Sequence, residues 1–371
     1  MEISQHLLQE ELSIKEKRVR DLADRLNLDG ICLFKYMNYA WFTGGGTNRV
    51  VTGSERGCSI LLILKDKKYV FAPRNEIERI TTEQVYGQDF EPVTYDWFSN
   101  PVQAIKEVVG EAKIGSDLPI AGMESISDDI DRLRFSLTEA EVLKAKEIAQ
   151  VCSDETAVFI AGMKPGITEQ QMAAELNCRL LWQGIKPAVL LIGTDERVFT
   201  CRHPVVTDKK LEQYGLVSLV GEKWGIHITL TRSFYFGNIP QELKEKQIKV
   251  NQVDAFMIAN TILGKHSDLA FEACKKEYAD LGYPNEWKLH HQGGAIGYAP
   301  REFRAGERNE LVQANQMFGW NPTLQGTKSE STILVQKEGG PLILDTVPKW
   351  WPTQEIEVNG QVIARPIVLE M

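Results

Sequence analysis

Several features that mark other classes of protein are missing from this sequence of 371 residues. The six cysteines are scattered at Cys32, Cys58, Cys152, Cys178, Cys201 and Cys274. None of them forms a Cys-x-x-Cys pair, so neither a zinc knuckle nor a disulfide framework is indicated. No apolar run approaches the roughly 20 residues that a membrane-spanning helix needs. The sequence therefore indicates no zinc knuckle, no disulfide framework and no membrane-spanning helix.

Basic residues are also fewer than acidic ones, 42 against 51. The net charge is −9, which argues against a nucleic-acid groove or an anionic membrane surface as partner. Residues 1–26 are charged and have helical periodicity with no apolar signal core, so we expect a cytoplasmic protein. Two glycine-rich stretches, at 44–53 and 291–297, match neither a phosphate loop nor a dinucleotide fingerprint. The sequence therefore indicates no nucleic-acid, membrane or nucleotide partner.

The composition is that of a globular protein, with 43% hydrophobic and 25% charged residues, and the length suffices for two domains. The first part alternates between helices and short strands, which predicts a smaller α/β domain over residues 1–135. Its helices are predicted at 4–28 and 101–112, and its strands at 30–35, 58–64, 67–73, 90–95 and 113–117. The pattern Thr-x-x-Glu at Thr138 and Glu141 predicts a capping box that opens a long helix.

The second part, residues 136–371, combines long helices with strands that run mainly antiparallel, which predicts an α+β domain. A further capped helix is expected to end near Gln183. Strands are predicted at 188–193, 215–222, 226–237, 311–322, 331–336 and 341–345, and helices at 239–263 and 266–282. The sequence shows no tandem repeat and no low-complexity tract.

Four segments, taken in order, carry a resemblance to a known family. They are NYAWFTGGG at 38–46, LRFSLTEAEVLKAKEIAQ at 133–150, MKPGITEQQMAAEL at 163–176 and RHPVVTDKKL at 202–211. Together they resemble segments of the creatinase, aminopeptidase P and prolidase family. The resemblance implies a C-terminal pita-bread catalytic domain after a smaller N-terminal α/β domain, and an Xaa-Pro peptidase-like protein.

The family holds two metal ions with two Asp, one His and two Glu, which are hard oxygen donors and one imidazole. The matching positions of this chain are Ser218 or Val220, then Thr229, Gly294, Asn321 and Glu330. Only the last is a carboxylate, which is too little negative charge to repay the dehydration of two divalent cations. We therefore expect no dinuclear metal centre, no metal and no cofactor.

Creatinase, a member of that family, works without metal, and the resemblance gives His203 and Glu330 catalytic roles. His203 would shuttle protons, and Glu330 would hold a planar cationic group of the substrate. The second carboxylate that binds guanidinium in creatinase is replaced by Thr231. The prediction is a metal-independent hydrolase or lyase that acts on a C–N bond of a small polar nitrogen compound. The predicted substrate-binding residues are His290, Arg301, Asn321, Thr229 and Trp224.

Each candidate also has a structural interpretation. His203 is equally consistent with a structural histidine, and Glu330 with a salt bridge to Lys328 or Arg232. Arg301 suits a clamp for a substrate carboxylate or an exposed ion pair in the charged run 301–310. His290 and its neighbour at 291 would point to opposite faces of an extended chain, so that only one of them lines the cavity. Trp224, like Trp320, suits either a cavity wall or the core.

Two further expectations concern partners. The alternative to an enzyme is a catalytically inactive pseudoenzyme that keeps the pita-bread cavity for binding a peptide or protein. A histone-chaperone subunit uses this fold in that way. The resemblance also implies a homodimer, and an aromatic set taken as exposed would form the contact. Its members are Tyr36, Tyr39, Trp41 and Phe42.

Overall fold

Residues 4–371 are described by the computed structural model, and they divide into two compact units. The first comprises the described residues up to Glu141 together with Trp224–Ile226. The second comprises Val142–Lys223 and His227–Met371. No helix within residues 4–371 is both long and apolar enough to cross a membrane.

The first unit is a mixed sheet with helices, as the sequence predicts. Its helices are α1 (Gln5–Arg25), α2 (Tyr36–Phe42), α3 (Ile77–Arg79, continued by a π-helical turn Ile80–Gln84), α4 (Pro101–Val109) and α5 (Ser127–Leu133). Its strands are β1 (Gly30–Lys35), β2 (Arg56–Leu64), β3 (Lys68–Pro73), β4 (Glu91–Tyr95), β5 (Ile114–Ser116) and β6 (Glu124–Ser125). They form one sheet in the order β4-β3-β2-β1-β5-β6.

Strand periodicity builds the core of this sheet. Cys32 and Phe34 are two residues apart on β1, Ile60 and Leu62 are two apart on β2, and Cys32 pairs with Leu62, so these four side chains share one face of the sheet. They are buried together with Ile105 of helix α4. The strand residues between them are buried on the other face. The short apolar runs of the sequence are thus strands whose buried side chains hold a helix against the sheet.

The second unit contains the remaining elements. Its helices are α6 (Glu139–Ala161), α7 (Glu169–Trp182), α8 (Glu196–Thr200), α9 (Gln241–Ala259) and α10 (Asp268–Asp280), with a 3-10 turn at Glu286–Lys288. Its first strands are β7 (Lys186–Thr194), β8 (Tyr214–Lys223), β9 (Ile226–Tyr235), β10 (Gly293–Ile296), β11 (Phe303–Arg304), β12 (Met317–Trp320) and β13 (Thr323–Leu324). Its last are β14 (Thr327–Lys328), β15 (Ser331–Leu334), β16 (Leu342–Ile343), β17 (Thr353–Val358), β18 (Gln361–Pro366) and β19 (Leu369–Glu370).

These strands form one sheet in the order β19-β9-β8-β7 and another in the order β11-β10-β12-β15-β16, with β13-β14 and β17-β18 as separate pairs. All pairs within the second of these sheets are antiparallel. Long helices beside mainly antiparallel strands give the α+β architecture expected from the sequence. The fold is that of a pita-bread domain after a smaller α/β domain.

Both predicted helix starts are present. The Thr138 backbone N–H donates to Glu141 Oε2 at 2.7 Å, and the Glu141 N–H donates back to Thr138 Oγ1 at 3.3 Å. Thr168 and Gln171 make the same reciprocal pair at the start of α7. Each box satisfies two N–H groups that a helix start otherwise leaves without a partner.

Two expectations from the sequence are wrong. The strand predicted over 311–322 is confined to Met317–Trp320, because Asn315 has a φ of 59°, in the left-handed region that interrupts a strand. The aromatic set of α2 is buried rather than exposed: Tyr36, Tyr39, Trp41 and Phe42 are at most 7% exposed. Helix α2 lies inside the first unit, where the guanidinium of Arg49 is 3.4 Å from the ring centroid of Tyr36.

Candidate active site around Glu330

The carboxylate of Glu330 is the centre of a dense polar cluster in the second unit. Glu330 follows β14, precedes β15 and is 2% exposed. Lys328 Nζ lies 2.6 Å from Glu330 Oε2, and an Arg301 guanidinium nitrogen lies 3.4 Å from Oε1. Hydroxyl groups donate to the same carboxylate from Ser218 at 2.9 Å, Thr229 at 2.5 Å and Thr231 at 2.6 Å. We call these six residues the Glu330 cluster.

Strand geometry explains why these hydroxyls converge. Thr229 and Thr231 are two residues apart on β9, so both side chains leave the same face of the strand. Ser218 lies on β8, the neighbour of β9 in the sheet. The sequence left Ser218 and Val220 as alternatives for the first acidic position, and Ser218 is the one that contacts Glu330.

The charges of the cluster hold Glu330 in its ionised form. Burial raises the pKa of a carboxylate, but attraction to Lys328 and Arg301 outweighs it and holds the pKa of Glu330 well below its usual range. Burial in turn lowers the pKa of the Lys328 amine and of the Arg301 guanidinium, and Glu330 opposes that effect for both. One carboxylate thus faces two buried cations.

A second group, the histidine cluster, consists of His203, His290 and His291. The Nε2 atoms of His203 and His290 are 3.1 Å apart, and the rings of His290 and His291 stack with centroids 4.5 Å apart. The expectation that His290 and His291 point to opposite faces is wrong. His290 lies in a bend after the 3-10 turn Glu286–Lys288, and neither histidine belongs to a strand, so the alternation of an extended chain does not apply.

All three imidazoles have lowered pKa values. Burial is the main cause for each, and the positive charge of Lys328 adds to it. The pKa of His290 falls to about 2 and that of His291 to about 4, while that of His203 is lowered from 6.5. At neutral pH these side chains are therefore neutral, with lone pairs that can accept a proton.

The Glu330 cluster does not fit the dinuclear metal centre that the resemblance implies. Both oxygens of its one carboxylate accept from protein donors, and two of those donors carry positive charge. The other implied ligand positions offer hydroxyls at Ser218 and Thr229, an amide at Asn321 and no side chain at Gly294. A pair of divalent cations here would meet one neutralised carboxylate and two repelling cations.

The histidine cluster has the spacing of a possible metal site. One ring nitrogen from each histidine lies within 4.8 Å of the others, and neutral imidazoles are common metal ligands. The neighbouring charges oppose a cation, because Lys328, Arg301 and Arg304 all lower the pKa of His291 by repulsion. The same potential favours an anion.

The remaining predicted site residues divide into two groups. Asn321 is 2% exposed, and its Oδ1 has no hydrogen-bond partner among residues 4–371. His290 Nδ1 and Arg301 Nε are likewise buried without a hydrogen bond in the described chain. Unpartnered buried polar atoms are rare in proteins and mark places where a ligand or water binds.

Neither tryptophan is a member of the Glu330 cluster. Trp224 forms part of the first compact unit, at the turn between β8 and β9. A Cβ added at Gly45 would lie 2.7 Å from Trp224 Cβ, so this close approach requires glycine. Trp320 is a core residue that stacks on Phe318 at 5.2 Å and donates from its indole to Thr261.

Sequence reasoning missed two members of the site. Lys328 was interpreted only as a salt-bridge partner of Glu330 and not as a site residue, although residues two apart in an extended chain share a face. His291 was not predicted as a site residue, because the prediction assumed an extended chain in which successive side chains point to opposite faces. Arg301, for which an exposed ion pair was the alternative interpretation, is 14% exposed and belongs to the Glu330 cluster.

Comparison with known proteins supports the relationship suggested by the sequence. Residues 16–150 match the Creatinase/Prolidase N-terminal domain. An uncharacterised peptidase of Bacillus subtilis, YqhT, is 22% identical over 305 residues, which cover 78% of this chain and 84% of the relative.

Solved structures share the fold over most of the chain. An Xaa-Pro dipeptidase from Bacillus anthracis superposes with a TM-score of 0.76 at 18% identity, covering 97% of this chain and 100% of that one. The N-terminal domain of the FACT complex subunit SPT16 from chickpea superposes with a TM-score of 0.68 at 12% identity, covering 91% of this chain and 97% of that one. Residues 16–150 therefore belong to the Creatinase/Prolidase N-terminal domain family, and the whole chain is similar to peptidases of the creatinase and prolidase family and shares the pita-bread fold of their solved structures.

Proposed function

We propose that this peptidase-like protein is a metal-independent hydrolase of the creatinase type, acting on a C–N bond of a small polar nitrogen compound. The observation that supports it is the neutralisation of Glu330 from within the protein by Lys328 and Arg301. Two side-chain cations take the place of the positive charge that metal ions supply in the related metallopeptidases. The Glu330 cluster then needs no metal to remain buried and ionised.

In this proposal His203 is the acid–base. Its lowered pKa keeps the imidazole neutral at pH 7, so it can take a proton from water as the water oxygen attacks the carbon of the C–N bond. The imidazolium returns that proton to the nitrogen as the C–N bond breaks. His290, 3.1 Å away, orients the ring of His203 through a hydrogen bond.

The role of Glu330 differs from the one that the resemblance to creatinase suggests. A substrate guanidinium would compete for carboxylate oxygens that already accept from five side-chain groups. Glu330 is therefore proposed as a positioning residue that holds Lys328 and Arg301, and these two cations face the negative charge of the substrate or of its transition state. Asn321, with an unpartnered oxygen, is proposed to accept a hydrogen bond from the substrate nitrogen.

The test is hydrolysis of small amides, N-carbamoyl and guanidino compounds in the presence of excess EDTA. We expect turnover to persist, with an acidic limb below pH 6.5 as His203 becomes protonated. His203→Ala should lower turnover by about 10²–10⁴-fold while the protein stays folded, and His6→Ala, an exposed histidine of α1, is the matched control. Activity that is lost in EDTA and restored by manganese would contradict the proposal.

A second candidate is a pseudoenzyme that binds a peptide or protein in the same cavity. The observation that favours it is the absence of a free carboxylate base among the described residues of the Glu330 cluster, since both Glu330 oxygens are occupied. The SPT16 domain is a FACT complex subunit with this fold. Saturable peptide binding without any turnover would favour this candidate over the enzyme.

We also propose a homodimer, by resemblance to the family. Since the aromatic side chains of α2 are buried, the dimer contact must use other residues. Trp97 and Phe98 are 78% and 73% exposed and supply aromatic surface of the kind found in interfaces. Light scattering should give twice 41.9 kDa, and Trp97→Ser with Phe98→Ser should lower that mass. A wild-type monomer at micromolar concentration would contradict the proposal.

A further inference from the structure

A cavity of about 210 Å³ lies in the second unit against the Glu330 cluster. Lys328 forms part of its lining, and the chain neighbours of His203 and His290 contribute Arg202 and Leu289. Apolar side chains form one part of the wall, among them Val198, Phe199, Leu216 and Leu324, and polar side chains such as Thr200, Gln325 and Thr327 form the rest. The cavity therefore combines an apolar wall with one buried amine.

The charges that line the cavity do not balance. Arg202 is paired with Glu286 at 2.6 Å and donates to Thr323 at 2.6 Å, so this arginine is neutralised locally. Lys328 shares its ion-pair partner, Glu330, with Arg301, and the Lys328 amine also donates to Ser218 Oγ at 3.0 Å. Because one carboxylate faces two cations, the Lys328 side of the cavity keeps one positive charge in excess. Buried positive charge in excess of buried negative charge is costly, and an anion in the cavity would balance it.

The volume limits the size of the occupant. At roughly 30 Å³ for each water in the liquid, 210 Å³ corresponds to about seven waters, or to a molecule of similar heavy-atom number. This is below the range of about 300–1,000 Å³ that is typical of drug-sized ligands. The apolar wall favours an alkyl or small aromatic group over a sugar or a phosphate ester.

We propose that this cavity binds a small monocarboxylate with an apolar tail, whose carboxylate pairs with Lys328 and whose tail contacts Phe199 and Leu324. This inference rests on the proposed function only if the bound carboxylate belongs to the substrate. The proposal is based on the excess positive charge and on the apolar part of the wall. It concerns binding alone and involves no reaction. The ligand completes the Glu330 cluster by giving its second cation a counterion.

Calorimetric titration with four probes tests the proposal: hexanoate, hexanamide, hexylamine and acetate. We expect hexanoate to bind about tenfold or more tightly than hexanamide, because only the carboxylate neutralises Lys328. Hexylamine should not bind, and acetate should bind at least about tenfold more weakly than hexanoate, because it lacks four methylene groups. Equal binding of hexanoate and hexanamide, or no binding of hexanoate, would overturn the proposal.

Two variants separate charge from shape. Lys328→Met should abolish the preference for hexanoate over hexanamide, while Lys349→Met, at an exposed lysine, should keep it. Lys328→Met leaves Glu330 paired with Arg301, so we expect a folded protein. Phe199→Ala, at a side chain 38% exposed, should weaken the binding of hexanoate and of hexanamide by the same factor. This variant tests the proposal if Lys328→Met fails to fold. An unchanged preference in Lys328→Met, or unequal weakening in Phe199→Ala, would overturn the assignment.

The outcomes also distinguish this inference from the proposed function. Hexanoate binding with no turnover of any C–N substrate would support the carboxylate site and contradict the hydrolase. If a C–N substrate is turned over while hexanoate neither binds nor inhibits, the carboxylate site is overturned and the hydrolase proposal stands.

Discussion

Residues 328–331 contribute to two buried charge clusters that differ in their charge balance. Lys328 and Glu330 belong to the Glu330 cluster, whereas Ser329 and Ser331, which alternate with them, donate to Asp254 and Asp345. Arg365 lies 2.9 Å from Asp254, and Arg232 lies 3.0 Å from Asp345. We call these two acids and two arginines the Asp254/Asp345 network.

The difference between the two clusters is their charge balance. The network pairs two acids with two arginines, all at most 2% exposed, so its charges balance within the protein. The Glu330 cluster pairs one acid with two cations and borders a cavity. Buried charge that is balanced serves the fold, since breaking a pair leaves an uncompensated ion. Buried charge in excess, beside open space, is a place for a ligand.

The largest expected effect follows from breaking the balanced network. Arg232→Met should lower the free energy of unfolding by about 3–5 kcal/mol, because it leaves two buried acids with one arginine. Urea denaturation at neutral pH, followed by circular dichroism, measures the change. A loss below about 1 kcal/mol, the size of a surface pair, would contradict the structural role of the network.

A smaller effect is expected from removing one donor to Glu330. Thr231→Val should cost about 1.5–3 kcal/mol, the usual worth of a hydrogen bond to a charged group, because Thr231 Oγ1 donates to Glu330 Oε2 at 2.6 Å. Thr94→Val, at an exposed position of β4, is the control and should change stability little. Equal stabilities for the two variants would show that Thr231 does not support Glu330.

The pH dependence of stability should come partly from the histidine cluster. The pKa of His291 is about 4 in the folded protein against an ordinary 6.5, so between these values the unfolded chain binds more protons than the folded one. Stability should therefore fall as pH drops from 6.5 to 4. One proton contributes at most about 1.4 kcal/mol per pH unit. Denaturation midpoints of His291→Gln should decline less steeply over this window, and identical slopes would contradict its neutral burial.

The smallest effect on stability is expected at the cation in excess. Lys328→Met should change the free energy of unfolding by less than about 1 kcal/mol, since Glu330 keeps Arg301 and three hydroxyl donors and the amine loses its burial cost. The measurement is the same urea denaturation as for Arg232→Met. A loss as large as that of Arg232→Met would show that both clusters are structural and would remove the contrast between them.

Local features were predictable from the sequence and long-range pairings were not. The Thr138 capping box and the strand Gly30–Lys35 depend on residues a few positions apart, and both are present. The choice of Asp345 rather than Glu330 as the partner of Arg232 depends on a residue 113 positions away. The burial of Trp41 likewise depends on the packing of the first unit and not on the helix that carries it.

The candidate site was predictable in part. A resemblance placed His203, Arg301 and Glu330 by their order in the sequence, and the structure brings Arg301 and Glu330 into contact. It could not show that Glu330 is already neutralised, because this depends on where β8, β9 and β14 meet. Nor could it place His291 beside His290, since the alternation rule holds only for an extended chain.

The most direct test of the central claim, that side-chain cations have replaced metal ions at this site, is the metal content of the protein. The protein would be dialysed against manganese, cobalt or zinc and then against metal-free buffer before elemental analysis. The positive charge of Lys328 and Arg301 predicts well below one equivalent of any of these metals. One equivalent or more, located by anomalous scattering beside Glu330 or among the three histidines, would contradict the account.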